Sequence, residues 1–505
     1  MNKSTSLTSR YNLDFGLILT TLALVIMGIL FIYSAGSHSK VDTYQQHYFK
    51  QILFLIPGAL LFGFFLFFNY QKLSVYWFVF YATSLFLLIY VILPFKPPLI
   101  FPKEINNAKS WISINNWFSF QPSEISKLLI IFVLARFIDK STKNIQNFST
   151  LMTSLALPLP ILALIMIQPD PGTALVYIPI TLVMLIVGGA RISHVLAILF
   201  VGVISLTFTL YPLYHIKTSQ ELLKQNQADK ISQLNFFYSA AFSKKDIREL
   251  GKAKMASLRV LHSKRKKLEA HNKVLLKQKT KKMKKVIAFF TLKIAALCFG
   301  AVVLMFLLYK LFRVRVFFYS TMVSLVLALG ISSAVLGQMY LKPYHVARLT
   351  TVINLDANRH GAGYNQWQSI VAIGSGGIFG HGLGHGPQTT MNYVPEIETD
   401  FIFAVIGEEW GFFFGSLVVL FLYAVLIYRG LVIAYQSKDY FGTLLAAGIT
   451  TMFFSHVFVN LGMSVGILPV MGIPLPFLSA GGSSLLTNLI AVAILINISQ
   501  RRYVY

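Results

Sequence analysis

Asp400 runs straight into the apolar string Phe401-Ile402-Phe403-Ala404. A carboxylate at the mouth of an apolar helix is expensive to desolvate and is by default a functional candidate. That setting tends to raise its pKa toward the range of a general base. Helix capping is the plainer role open to it, since Asp is a good N-cap, and the two are compatible. Pro395, Glu396, Glu398 and Thr399 stand just before it, and Glu408 and Glu409 lie two turns beyond. Acids that far into an apolar helix must be paired or wetted, and Arg348 and Lys127 are candidate structural partners.

Between Tyr364 and Gln388 fall Gly374, Gly376, Gly377, Gly380, Gly382, Gly384 and Gly386. Such density lets the backbone pack tightly as a re-entrant loop or present N–H groups to an anion. It is not a nucleotide loop, because no strand precedes it and no Gly-Lys-Ser/Thr follows. His381 and His385 stand four apart, but Gly382 and Gly384 argue against the helix a metal pair would need, and no metal site is expected. A third string reads Asn107-Ala108-Lys109-Ser110-Trp111-Ile112, then Gln121-Pro122-Ser123-Glu124-Ile125-Ser126-Lys127. Pro122 marks a helix start at the membrane surface. Lys127, one turn inside, pairs with Glu124 or meets a phosphate. Gln168-Pro169-Asp170-Pro171-Gly172-Thr173 reads as a tight hairpin whose Asp170 is a turn and N-cap residue or a carboxylate at membrane depth.

The elements that must carry these residues follow from composition. Of 505 residues, 55% are hydrophobic and only 12% charged, against about a quarter charged in soluble domains. Mean hydropathy is +0.65. A disulfide scaffold is excluded by the single Cys298. The class is an all-α polytopic membrane protein. Helical stretches near the ~20 residues a bilayer needs are read at 14–34, 50–69, 74–95, 123–138, 151–168, 172–188, 193–212, 286–309, 315–338, 401–428, 441–463 and 483–498. The short loops holding Lys72, Lys140, Arg191, Arg313 and Arg429 then share the cytoplasmic side with Lys3 and Arg10. The polar loops 96–122, 339–400 and 464–482 converge on the outer face, where function is expected. The chain divides into N-terminal helices over 1–212, a basic insertion with an extra helix over 213–310, and a C-terminal half over 311–505 holding the loop 339–400.

The net charge of +26 is concentrated: residues 213–285 hold 20 Lys/Arg and 5 Asp/Glu. A basic chain often points to nucleic acid, but this excess is local and lies between spans, so no nucleic acid is expected. Leu258, Leu261, Leu268 and Leu275 follow a heptad spacing compatible with a basic helix on anionic lipid or an anionic wall polymer, the plainer reading being a solvated arm. The topology puts this arm outside, which the positive-inside tendency permits for loops beyond ~60 residues.

Ala108-Lys-Ser-Trp-Ile with Gln121-Pro-Ser-Glu-Ile-Ser-Lys resembles the SEDS family (shape, elongation, division and sporulation proteins). So do Gln168-Pro-Asp-Pro-Gly-Thr-Ala, Gly361-Ala-Gly-Tyr-Asn-Gln-Trp-Gln-Ser369 and Pro395-Glu-Ile-Glu-Thr-Asp-Phe-Ile-Phe-Ala. Leu468-Pro-Val-Met-Gly-Ile-Pro-Leu-Pro-Phe-Leu-Ser-Ala-Gly-Gly-Ser-Ser484 completes an ordered set over nearly the whole chain. Leu341-Lys-Pro-Tyr344 before Arg348, and Met471 where the FtsW branch often has Lys, are similar to the RodA branch. Glu398 stands where His is common, Ala480 where Tyr is usual, and Ala357 where Pro is usual. The resemblance implies about ten core transmembrane helices, here with roughly two extra in the insertion.

It also implies a peptidoglycan glycosyltransferase that polymerises lipid II during elongation in the bacterial cytoplasmic (inner) membrane, with its active site on the extracytoplasmic face. A lipid II flippase and a non-catalytic scaffold for a penicillin-binding protein are the alternatives. The implied partners are a class B penicillin-binding protein and other elongation-complex membrane proteins. Asp400 matches the family's catalytic aspartate. Lys109, Trp111, Gln121, Ser123, Glu124, Lys127, Arg348, Gln368, Ser369, Gln388, Glu396 and Ser483 are carried over as substrate-binding residues. No cofactor is required by the residues; charge on a leaving diphosphate is met by Lys109, Arg348 or Lys127, or by a divalent cation such as Mg.

The outward placement of the arm has a direct check. A cysteine at Ser263 in a Cys298→Ser background is expected to react with an impermeant maleimide on intact spheroplasts; labelling only after lysis would overturn the topology.

Overall fold

The computed structural model describes residues 13–37, 46–93, 100–105, 108–114, 118–142, 145–214, 278, 282, 285–340, 348–349, 351, 363–391, 393 and 396–502. The heptad leucines of the basic arm, and Ala357, lie outside the described residues. Ten helices among those described are long and apolar enough to cross a membrane. They are α1 (Phe15–Ser37), α2 (His47–Phe67), α3 (Tyr70–Ile92), α5 (Ser149–Ile167), α7 (Ile192–Tyr214), α8 (Lys285–Phe312), α9 (Arg315–Val335), α12 (Ile402–Gln436), α13 (Tyr440–Ser464) and α14 (Gly482–Arg501). The other two segments picked out by length are helical as well. One is α4 (Pro122–Lys140), which carries Glu124, Lys127, Arg136, Asp139 and Lys140; the other is α6 (Pro171–Val187), which is shorter. Between α9 and α12 come α10 (Tyr364–Ser375) and α11 (Pro387–Thr390). The polytopic helical reading holds.

The first polar loop departs from it. It folds as a three-stranded antiparallel sheet, β1 (Ile100–Ile105), β2 (Ala108–Ile114) and β3 (Phe118–Phe120), in that spatial order. Ile100 opposes Ile114 and Ile112 opposes Phe120, with an irregularity between Lys103 and Glu104. Ser110, Ile112 and Ser113 are buried while Lys109 is exposed, and β2 lies against α3 and α4. Strands this short carry too few alternations to stand out from a polar loop.

The chain forms two units, one of residues 1–195 with 351–505 and one of residues 196–350. In the smaller unit the hydroxyl of Thr209 donates to the carbonyl of Ala334 at 3.3 Å. In the larger, α13 is the buried centre, with α4, α6 and α12 packed on it and α14 against α2. At Gly448 of α13 a Cβ would stand 2.7 Å from Ile131 of α4 and 2.8 Å from the sulfur of Met184 of α6, so side chains of two helices pack directly on the backbone of the third. Asp14 accepts from the backbone N–H of Leu17 at 3.0 Å and takes a two-pronged contact from Arg429, tying the start of α1 to α12.

A side chain closes the open end of α2. The Nδ2 of Asn497 in α14 lies 2.9, 2.8 and 2.7 Å from the carbonyls of Phe65, Leu66 and Phe68. The Nε of Arg501 holds the Asn497 carbonyl at 2.9 Å. The last carbonyls of a helix have no partner within it. Stranding a buried polar group costs about 1–3 kcal/mol, so Asn497→Leu is expected to lower the melting temperature in detergent by several degrees. An unchanged melting temperature would show that water or lipid headgroups satisfy these carbonyls instead.

Candidate active site

Residues 396–400 make one turn, closed by the Asp400 N–H donating to the Glu396 carbonyl at 3.0 Å. Glu396 sits at φ +55°, in the left-handed region, where a side chain with a Cβ is strained. The N-cap position of α12 belongs to Phe401, one residue beyond Asp400. The capping role considered for Asp400 thus falls to a residue with no side-chain acceptor. Asp400 is half-buried, whereas Phe401 and the helix residues behind it through Glu409 are buried.

Asn460 fixes the aspartate's backbone. From the face of α13, its Nδ2 donates to the carbonyl of Asp400 at 2.8 Å and to that of Ile473 at 2.7 Å. The segment 471–474 therefore runs beside the aspartate. At Gly472 (φ +69°) a Cβ would stand 3.5 Å from Asp400 Oδ2, so the carboxylate lies along that glycine. One turn back on α13, His456 contacts the next carbonyl, with Nδ1 3.1 Å from Pro474 O. Its Nε2 lies 2.7 Å from the ammonium of Lys127, which also donates to Glu124 Oε1 at 2.7 Å. An ammonium has only donors. Nε2 must therefore accept, and the ring proton sits on Nδ1, directed at Pro474. Lys127 and Glu124 are each almost fully buried. A chain of hydrogen bonds thus runs from the aspartate through segment 473–474 to the ion pair of α4.

Three helix starts meet beside it. Asp170 caps α6 by accepting from the N–H and hydroxyl of Thr173 at 3.1 and 2.7 Å. The Nε2 of Gln121, just before α4, donates to Asp170 at 2.8 Å, and its backbone N–H donates to Ser483 in the first turn of α14 at 2.9 Å. Burial pushes the Asp170 carboxyl above its ordinary value, and the Thr173 hydrogen bonds pull it back. On the other side of the aspartate, burial pushes Glu398 up against the hydrogen bond and charge of His47, with Glu396 adding to the upward shift.

The glycine-rich segment does something other than hold an external anion. The α12 helix opens into a π-turn over Gly411–Ser416, releasing backbone groups that the loop takes up. The N–H groups of His381 and Gly382 donate to the carbonyls of Glu408 and Glu409 at 3.2 and 2.8 Å, and those of Phe412 and Phe413 donate to Gly377 and Ile378 at 2.9 and 3.0 Å. At Gly380 (φ +80°) a Cβ would stand 2.2 Å from the Glu409 carbonyl, so only glycine allows this approach. The amide nest at the start of α11 is filled from within the chain. Glu408 accepts from the N–H groups of Gln388 and Thr389 at 2.6 and 3.1 Å and from the Thr389 hydroxyl at 2.6 Å. Ser34 of α1 donates to Glu409 at 2.6 Å. The pairing of these two acids with Arg348 or Lys127 expected from sequence is replaced by these local donors.

The remaining sequence-derived residues spread over several places. Ser123 and Glu124 are buried in the first turn of α4, with Gln121, Ser483 and Lys127 around them; Lys109 and Trp111 lie on β2, exposed and half-buried. Ser369 is buried and donates to the Ser464 carbonyl at 2.9 Å, bracing the end of α13. Gln368 is half-buried on α10, Gln388 spends its N–H on Glu408, and Arg348 belongs to the smaller unit. Sequence reading missed Asn460, His456 and Gln366, whose Nε2 holds the carbonyls of Met463 and Leu468 at 3.0 and 2.6 Å. Their signal was a polar residue in each case on an otherwise apolar or loop-flanking turn, which a scan for acids and glycines passes over.

The model of the FTSW_RODA_SPOVE family of cell cycle proteins matches residues 15–234 and 254–504. The chain belongs to this family. The peptidoglycan glycosyltransferase RodA of Treponema pallidum is 34% identical over 492 residues, spanning 97% of this chain and 98% of that one. The stage V sporulation protein E of Bacillus subtilis is 28% identical over 98% of both. The peptidoglycan glycosyltransferase MrdB of Escherichia coli K12 is 45% identical over 159 residues, covering 32% of this chain and 43% of its own. The fold matches the solved "Structural coordination of polymerization and crosslinking by a peptidoglycan synthase complex" with a TM-score of 0.56 at 21% identity, covering 98% and 99% of the two chains. It also matches the rod shape determining protein RodA of Thermus thermophilus with a TM-score of 0.52 at 20% identity, over 97% and 98%. These relatives place the chain on the RodA side of the family, and it is a multi-pass membrane protein.

The buried ion pair gives a stability test. Removing one partner leaves an uncompensated buried charge, which costs about 3–5 kcal/mol. Lys127→Met is thus expected to unfold well below wild type in detergent, and Glu124→Gln with Lys127→Met to regain most of the loss. A single variant as stable as wild type would mean that the cluster is solvated.

Proposed function

We propose that Asp400 is the general base of a glycosyl transfer that joins lipid II units into glycan strands. The chain is a peptidoglycan glycosyltransferase of the elongation type, in keeping with the names of its relatives. The observation that carries the assignment is the aspartate's placement. Its backbone is pinned by Asn460, its carboxylate lies along Gly472, and the ion pair of α4 stands at the other end of the hydrogen-bonded chain. A base must be held within reach of the proton it takes, and this arrangement holds it.

The chemistry needs one base and a stabiliser for the leaving diphosphate. The Asp400 carboxylate takes the proton from the acceptor sugar's 4-hydroxyl as that oxygen attacks the anomeric carbon of the donor. The bond from that carbon to the undecaprenyl diphosphate breaks, and the electron pair leaves with the diphosphate. An α-linked donor gives a β-1,4 product by single displacement, so no covalent intermediate with the protein forms. The starts of α4, α6 and α14 each present the positive end of a helix dipole, which favours an anion nearby. Lys109 on the exposed face of β2 is a further cation for the diphosphate. Gln121, Trp111, Gln368 and Glu396 are proposed to line the sugar and peptide sites.

The site faces the extracytoplasmic side of the bacterial inner membrane, where lipid II is polymerised. Its strands require cross-linking, so the partner is a class B penicillin-binding protein docked at the spans after residue 400 and at the outer loops. A solved relative in a synthase complex that coordinates polymerization with crosslinking supports this.

The decisive experiment is a polymerisation assay with purified protein and lipid II. Asp400→Asn keeps the shape and removes the base, and loss of a general base costs 10²–10⁴-fold, so strand formation is expected to fall about that far with lipid II binding retained. A variant keeping more than about a tenth of the wild-type rate would remove Asp400 from that role.

A further inference from the structure

The turn that carries Asp400 is held at more than one point. Asn460 secures its last residue through the Asp400 carbonyl. Two residues earlier the holders come from different elements. The Ala480 N–H donates to the Glu398 carbonyl at 2.9 Å, and the Glu398 carboxylate, 2% exposed, is hydrogen-bonded by Nδ1 of His47 in the first turn of α2. Gln51, one turn along the same face of α2, donates to the Ser479 carbonyl at 3.4 Å and accepts the Gly481 N–H at 3.1 Å. One face of α2 therefore grips both the turn 396–400 and the segment 479–481 bonded to it. The turn is strained at Glu396, φ +55°, and so is Phe477, φ +69°, two residues before the segment 479–481. Such conformations persist only where the surroundings over-determine them.

We propose that His47 is a positioning residue for the transfer at Asp400: acting through the Glu398 carboxylate, it fixes the pitch of the turn, and so the direction in which the base points. The proposal rests on the reading of Asp400 as the base. The geometry makes a specific demand. Asn460 still holds the Asp400 carbonyl and Ala480 the Glu398 carbonyl, so loss of the His47 bond loosens the turn between them and shifts the carboxylate relative to Gly472 without unfolding α12. His47 lies on neither α4 nor β2, so its loss leaves the contacts proposed for Gln121 and Trp111 in place. The effect belongs in turnover rather than in binding, because an interaction felt only as the base engages lowers kcat without raising KM.

The test uses the purified full chain with lipid II, reading kcat, KM and the melting temperature for three variants beside Asp400→Asn. His47→Phe keeps a ring and removes the hydrogen bond. Glu398→Gln keeps the volume and removes the charge. The double variant His47→Glu with Glu398→His rebuilds the pair in reverse. A displacement near 1 Å costs up to about 100-fold, so kcat in His47→Phe is expected to fall about 10- to 100-fold with KM within about twofold of wild type. Glu398→Gln is expected to show an intermediate loss, and the reversed pair to recover most of kcat. If Asp400→Asn is inactive while His47→Phe turns over at the wild-type rate, the positioning role is overturned and the base reading stands. If Asp400→Asn remains active, the base reading fails and the proposal falls with it. Should His47→Phe not yield a monodisperse protein, the reversed pair decides: folded but slow overturns the proposal, folded and active supports it.

Discussion

Inside an apolar helix bundle, a backbone carbonyl or N–H that leaves its helix has no water to turn to and must be met by the protein itself. Much of this architecture follows from that demand. Where chain segments break regular structure, a side-chain carboxamide meets the stranded groups. Gln366 reaches Met463 and Leu468, and Asn460 reaches Asp400 and Ile473. Each NH₂ offers two donors in a fixed plane, so one residue can bind two carbonyls from segments far apart in sequence. The glycine-rich loop meets the same demand with backbone alone, laying its amides against the carbonyls freed by the π-turn of α12.

That solution has a chemical by-product. Groups satisfied by rigid partners are also oriented by them. The amide that keeps the carbonyl of Asp400 from being orphaned decides where its carboxylate sits, and the carbonyl of Pro474 decides the tautomer of His456 and hence its readiness to accept from Lys127. Stability and positioning come from the same bonds. With Asp400 as the proposed base, substitutions in this network are expected to change stability and rate together, and both readouts are needed for each.

Length and apolarity made the helices legible, because twenty apolar residues in a row have few other uses. The start of α4 at Pro122 and the cap at Asp170 were equally plain, both being local signals read within one turn. The sheet over 100–120 was not, since strands of three to seven residues resemble any polar loop. Glu408 was misjudged for a different reason. Its partners Gln388 and Thr389 stand about twenty positions earlier, joined to it by no periodicity, and a backbone N–H carries no signature in a sequence. The partnership of His47 with Glu398, 351 positions apart, was equally hidden.

The cap on α2 bears on how the protein comes to be made. Asn497 lies 432 positions beyond Phe65, whose carbonyl it holds. At ribosomal rates of roughly 5–20 residues per second, that separation is roughly 20 to 90 seconds of synthesis. Throughout that interval the second span sits in the bilayer with its exit unsealed, and the helix that will seal it does not yet exist. The nascent chain therefore passes through a long-lived, incompletely closed intermediate, and whatever shelters it then, whether a neighbouring span, lipid headgroups or the insertion machinery, must give way when α14 arrives.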